Sequence, residues 1–190
     1  MIQKARIRTG WKNKGKTVSV ADFANATSAI CWRIAMNAAK NLHQQDFDYQ
    51  SDKQRLGVIQ QYLFFFIHCA DRLTFQYFDQ ARRSEYINLL SADCRKHYAN
   101  NALEITGQRI DVTNFIEPLN HAMNTLSRCR FIAEEPGYDM YRVLGFEIQQ
   151  IMGQSQTNKW VIDQVMDIDG PEAYDLFRKS FEKLRKSSNF

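Results

Sequence analysis

The chain has 190 residues, of which 44% are hydrophobic, so it is long enough to bury a sizeable core and fits a single domain. Three prolines and eight glycines argue against a turn-rich all-β chain, and thirteen phenylalanines with eight tyrosines argue against disorder. The net charge of +4 is modest, but the charges are unevenly distributed along the sequence.

The first sixteen residues form a basic N-terminal arm without an acidic residue. Its cations outnumber the net charge of the whole chain, and they surround one aromatic residue: Lys4, Arg6, Arg8, Trp11, Lys12, Lys14 and Lys16. Such a segment is typical of contacts with nucleic acid or with an acidic protein partner. The simpler alternative, which we favour for the arm taken alone, is a flexible, solvated tail, and a small hairpin is a further possibility. We therefore divide the chain into an arm, 1–16, and one helical domain, 17–190.

Two capping signatures predict the first two helices. Ser19 followed by Asp22 predicts a helix that runs to about His43, and Ser51 followed by Gln54 predicts a second helix over about 52–81. The second helix is apolar and aromatic on nearly every side, so we expect other helices to surround it. One of its faces combines aromatic and polar side chains, namely those of Gln61, Phe64, His68, Asp71, Arg72 and Phe75.

Helical spacing continues through the rest of the chain. A third helix is expected to end at Gly107, a fourth to start at Asn114 or Pro118, and a fifth to cover 139–152. A short helix and a last amphipathic helix, starting at 169–171, follow. We predict an all-α single domain of six or seven helices packed around the central helix at about 52–81.

Neither a membrane-spanning run nor a secretory signal is evident in the sequence, which favours a cytoplasmic location. The cysteines are widely spaced in helical segments, which predicts buried, reduced thiols rather than a zinc site: Cys31, Cys69, Cys94 and Cys129. A group of carboxylates near the last helix matches a calcium loop poorly, and we expect it to cap helices or face solvent: Asp163, Asp167, Asp169, Glu172 and Asp175.

The polar residues of the central helix are the most specific functional clue. His68, Asp71 and Arg72 lie within about one turn, so the carboxylate can orient the imidazole while the guanidinium binds an acidic group. This predicts a ligand pocket that also includes the Gln61, Phe64 and Phe75 side chains. The alternative, which we favour, is a buried network in which Arg72 pairs with Glu117 or Glu147.

A metal centre is a further alternative. Asp93 with His97, and Glu117 with His121, place a carboxylate and an imidazole on one helix face, and His68 could join them. However, the Glu-x-x-His motif of di-iron bundles is absent, so we favour ordinary helix-surface pairs.

The sequence identifies no cofactor and no catalytic motif, which leans against an enzyme. The preferred hypothesis is a helical interaction or regulatory module that contacts nucleic acid or another anionic partner through its arm. The alternative is a helical domain with a small-ligand pocket, catalytic or metal-binding, around His68, Asp71 and Arg72.

Overall fold

The computed structural model describes residues 18–107, 109, 113–155 and 157–188, and this part of the chain is all-α, as predicted. Its six long helices are α1 Val20–Gln44, α2 Asp52–Thr74, α3 Gln80–Thr106, α4 Thr113–Leu126, α5 Tyr138–Met152 and α7 Gly170–Ser188. A short helix, α6 Val161–Gln164, continues through a π-helical turn, Val165–Asp169, directly into α7. A small antiparallel hairpin that was not expected, β1 Phe131–Ile132 with β2 Glu135–Pro136, joins α4 to α5.

The predicted caps start α1 and α2. The side chain of Ser19 accepts a hydrogen bond from the Asp22 backbone N–H, and the Asp22 carboxylate accepts one from the Ser19 N–H. At α2, the Ser51 hydroxyl oxygen accepts from the Gln54 N–H at 3.3 Å. Each cap satisfies a backbone donor that the first helical turn leaves unpaired, so these two boundaries are set locally.

The central helix ends earlier than predicted. α2 stops at Thr74, a turn follows, and α3 begins at Gln80, so the expectation of one helix over 52–81 is wrong at its C-terminal end. The Asp79 carboxylate accepts a hydrogen bond from the Arg82 N–H at 2.8 Å and thereby caps a new helix. The apolar pattern continues across the turn, which hides this break in the sequence.

Three consecutive phenylalanines of α2 join it to three other helices. Because successive residues of a helix point about 100° apart, neighbours in sequence face different partners. Phe64 lies 5.2 Å from the Phe115 ring of α4, measured between ring centroids. Phe65 and Phe66 likewise contact aromatic rings of α5 and α7, at 5.8 Å and 5.0 Å. All three side chains are fully buried, and burying each of them stabilises the fold by about 1.5–3 kcal/mol. α2 is therefore the centre of the core.

Two glycines allow α5 to lie against the α6–α7 segment. A Cβ atom at Gly145 of α5 would lie 2.8 Å from the Ile162 carbonyl oxygen, and one at Gly170 would lie 3.0 Å from the Tyr141 ring of α5 and 2.6 Å from the Val165 carbonyl oxygen of its own turn. Real Cβ atoms do not approach backbone oxygens this closely, so both positions favour a residue without a side chain. This contact fixes α5, which forms one wall of the site described below.

The remaining predictions have mixed outcomes. The described fourth helix covers Thr113–Leu126, so it starts within one residue of the predicted start at Asn114, and the alternative start at Pro118 is wrong because Pro118 lies inside the helix. Within the described ranges, none of the helices is sufficiently long and apolar to cross a membrane. The basic arm, 1–16, lies outside the described residues.

Candidate functional site

The predicted trio on α2 begins with His68, which is buried with only 3% of its surface exposed. Its Nδ1 atom has no hydrogen-bond partner among the described residues. Burial, assisted by the positive charge of Arg72, lowers the pKa of His68 to about 4. The imidazole is therefore neutral at pH 7 and belongs to the core.

The other members of the trio point elsewhere. The Asp71 carboxylate lies 3.0 Å from the Nε atom of Arg83 on α3, while Arg72 is exposed, with its guanidinium 5.8 Å from the centroid of the Phe131 ring. Phe75, expected in the same pocket, lies in the turn after α2 and is 68% exposed. The structure therefore does not bring these side chains together into one pocket, and Arg72 does not form the expected ion pair with Glu117 or Glu147.

The two remaining pocket candidates, Gln61 and Phe64, do line a cavity. It lies between α2, α4 and α5, beginning one turn N-terminal of His68, and has a volume of about 330 Å³. Its floor and two walls are formed mainly by Gln61, Phe64 and Phe65 of α2, Glu117, His121, Ala122, Thr125 and Leu126 of α4, and Val143, Leu144 and Glu147 of α5. We call this space the α4–α5 cleft.

The cleft continues towards the surface. A second cavity of about 460 Å³ shares His121, Thr125, Val143 and Glu147 with the first, so the two form one elongated space. The outer part is lined in addition by Arg142, Phe146 and Ile162. Phe146 is half exposed, which leaves an apolar side chain at the entrance.

The packing of α4 explains the cleft. Near its start, α4 is attached to the core through Phe115, whose ring lies 5.2 Å from Phe64 and 5.5 Å from Tyr98 of α3. Near its end, buried Leu126 attaches it again. Between these two points, the small side chains of Ala122 and Thr125 line the cavity and leave the space unfilled. The hydrophobic face of α4 is thus only partly covered.

Two carboxylates face the cleft from opposite walls, Glu117 from α4 and Glu147 from α5. In the part of the chain that the structure describes, neither side chain forms an ion pair or a hydrogen bond. The described residues that line the inner cavity include no lysine or arginine; Arg142 lines only the outer part. The inner cleft is therefore apolar with a net negative rim.

The metal hypothesis gains no support from these positions. Glu117 and His121 line the cleft, whereas His68 is not among its lining residues. Within the described ranges, no group of three or more histidines, cysteines, aspartates or glutamates is placed to hold a metal ion. The sequence suggests Glu147 only as a partner for Arg72, because its position opposite Glu117 depends on how two separate helices pack.

The lining hydroxyl is not placed for catalysis. Thr125 is one turn from His121 in α4, but its hydroxyl donates to the His121 backbone carbonyl at 3.1 Å rather than to the imidazole. A hydrogen bond to a general base is one of the ways in which a hydroxyl nucleophile is activated, and the Thr125 hydroxyl does not make it in this structure.

A second polar cluster lies at the π-helical turn. Asp169 is only 3% exposed, so the expectation that it caps a helix or faces solvent is wrong. Neither Asp169 carboxylate oxygen, nor the Tyr62 hydroxyl, nor the Gln164 Nε2 atom has a hydrogen-bond partner by distance and angle in the described structure. Burial raises the pKa of Asp169 to about 6, although the nearby Gln164 amide opposes the increase. The cluster places a carboxyl, a phenol and an amide together in the core rather than at an open site, and burying such groups without hydrogen bonds costs free energy.

Comparison of the chain with protein-family models, curated proteins and solved structures gave no match. The proposals below therefore rest on the residues and their geometry.

Proposed function

We propose that this chain is a small-molecule-binding protein whose ligand occupies the α4–α5 cleft. The observation that carries the proposal is a largely apolar cavity of about 330 Å³ with a few polar groups at its edge. Ligand sites of proteins have volumes of roughly 300–1,000 Å³ and combine an apolar lining with a few polar groups in this way. Of the predicted pocket residues, Gln61 and Phe64 line the cleft, whereas His68, Asp71, Arg72 and Phe75 are not among its lining residues.

Binding rather than chemistry is the proposed activity. The Thr125 hydroxyl is occupied by a backbone carbonyl, and the imidazole of His121 is exposed. Among the apolar lining residues, half-buried Ala122 and Val143 and exposed Pro118 offer surface that a ligand would remove from water, at about 25 cal/mol for each Å² buried.

A variant in which a large side chain fills the cleft tests this proposal. The neutral fluorescent probe N-phenyl-1-naphthylamine should gain fluorescence when it enters the cleft of the wild-type protein. Ala122→Trp should abolish the gain because the indole fills the cavity. Ala21→Trp, at an exposed position of α1, is the matched control and should leave the gain unchanged. Equal fluorescence with all three proteins would place the probe elsewhere and refute the proposal.

A second candidate function is attachment to a polyanion through the arm. It is supported by the six cations and the absence of acidic residues in residues 1–16. The partner would be nucleic acid or an acidic protein surface, bound mainly through charge. This function does not compete with ligand binding, since it uses a different part of the chain.

We also propose a cytoplasmic location. All four cysteines are free, and Cys31, Cys69 and Cys94 are fully buried. Reduced thiols are the usual state of cysteines in a reducing compartment.

A further inference from the structure

We infer that the ligand of the α4–α5 cleft is an organic cation: an amine with an apolar or aromatic body. This inference rests on the proposed binding function and names the chemical class of its ligand. It follows from the charges that line the cleft, from the shape of its apolar part and from its size.

The charged residues that line the cleft indicate the head group of the ligand. Glu117 and Glu147 approach the cleft from two different helices, and neither carboxylate has a cationic partner in the described structure. A cation in a largely apolar space that two carboxylates line is attracted by both of them. An anionic ligand would instead add a third negative charge. The charges that line the inner cavity therefore favour a positively charged group, whereas Arg142 lines only the outer part.

The apolar floor defines the rest of the ligand. Phe64, Phe65 and Leu144 are buried and line the inner cavity beneath the carboxylates. A hydrocarbon or aromatic body would lie against them, while the cationic group stays at the rim, where Glu117 is exposed. The Gln61 amide, which also lines the cavity, can accept one N–H bond.

The volume of the inner cavity limits the size of the ligand. A cavity of about 330 Å³ corresponds to roughly eleven water molecules at about 30 Å³ each. It accommodates one aromatic ring with a short alkyl chain, and a longer ligand would extend past Phe146 through the outer cavity.

Three probes with the same body and different head groups test the inference: 4-phenylbutylamine, 4-phenyl-1-butanol and 4-phenylbutyrate. Their affinities are measured at pH 7.5 by isothermal titration calorimetry and by displacement of N-phenyl-1-naphthylamine. The amine should bind about tenfold more tightly than the alcohol, the expected value for a charge-assisted hydrogen bond, and the carboxylate should bind most weakly. The preference for the amine should decrease as salt is added.

Matched variants locate the cation site. Glu117→Gln and Glu147→Gln should each lower the affinity for the amine severalfold while leaving the affinity for the alcohol unchanged. Glu104→Gln, at an exposed position of α3 away from the cleft, should change neither affinity. A circular dichroism melt of each variant verifies that the fold is retained.

The outcomes separate the two proposals. If the alcohol or the carboxylate binds as tightly as the amine, or if both cleft variants keep the preference for the amine, the cation inference is overturned while binding in the cleft stands. If neither the three probes nor the fluorescent probe binds, the proposed function fails together with the inference.

Discussion

Replacing Asp169 with asparagine should stabilise the protein at neutral pH. The carboxylate lies in the core at the π-helical turn with both oxygens unpaired by distance and angle. Burial raises its pKa from the ordinary value of 3.8 to about 6 in the folded state. The difference corresponds to about 3 kcal/mol at high pH, at about 1.36 kcal/mol for each pKa unit.

The direction of the pH dependence follows from the difference between the pKa of Asp169 in the folded and in the unfolded state. Because the pKa in the folded state is higher than in the unfolded state, the folded state binds the proton more tightly. The stability associated with the protonated carboxyl is complete below about pH 4 and is lost as the pH rises through about 6. The amide introduced by Asp169→Asn cannot ionise, so the advantage of this variant over the wild type should increase by about 2 kcal/mol between pH 4.5 and pH 8.

Urea unfolding at several pH values, followed by circular dichroism, measures this difference. The neighbouring phenols Tyr49 and Tyr62 do not titrate in this range, because burial raises their pKa values. Glu172 is the remaining carboxylate that acts on Asp169, and it is present in both proteins. Asp167→Asn, at an exposed position of the same turn, is the matched control and should follow the wild type. Parallel pH profiles for wild type and Asp169→Asn would refute the reasoning.

Three further predictions use thermal or urea unfolding and a salt titration. Arg83→Leu should lower the free energy of unfolding by about 1 kcal/mol, because it leaves the half-buried Asp71 carboxylate unpaired. Arg72→Leu should lower it by less than about 0.5 kcal/mol, because the Arg72 guanidinium is exposed. Equal losses for the two variants would contradict this order. Gly145→Ala should cost about 1–3 kcal/mol because its new Cβ meets a backbone oxygen, while Gly57→Ala, which meets only a side chain, should cost less. If all six cations of the arm engage duplex DNA, the slope of log K against log salt should be about −5, and deletion of 1–16 should remove it; an unchanged slope would refute binding through the arm.

Local features of the fold could be predicted from the sequence. The caps at Ser19 and Ser51 involve residues three positions apart, so the pattern alone places the starts of α1 and α2. The break at 75–78 could not be placed in the same way, since apolar spacing continues through Phe78. Only the capping hydrogen bond of Asp79 distinguishes a turn from a continuous helix there.

The candidate site was only half predictable. The sequence identifies Gln61 and Phe64 because they share a helix face. The same face also carries Phe75, and sharing a face does not determine how deeply a side chain is buried. Position along α2 decides whether that face meets α4, the core or solvent. The positions of the opposing glutamates depend on how far apart two consecutive helices, α4 and α5, pack, and no local pattern of the sequence determines that separation.

The π-helical turn also bears on how related chains would be recognised. The Gly170 N–H donates to the Val165 carbonyl, five residues earlier, so this turn contains one residue more than an α-helical turn. The extra residue rotates all later side chains by about 100° around the helix axis, so the apolar positions of α6 and α7 do not follow one continuous helical pattern. In the sequence, α6 and α7 therefore resemble two separate helices. In a relative without the extra residue, an alignment would show a one-residue gap inside a helix, at 165–169. Such a gap would be a genuine structural difference rather than an alignment error.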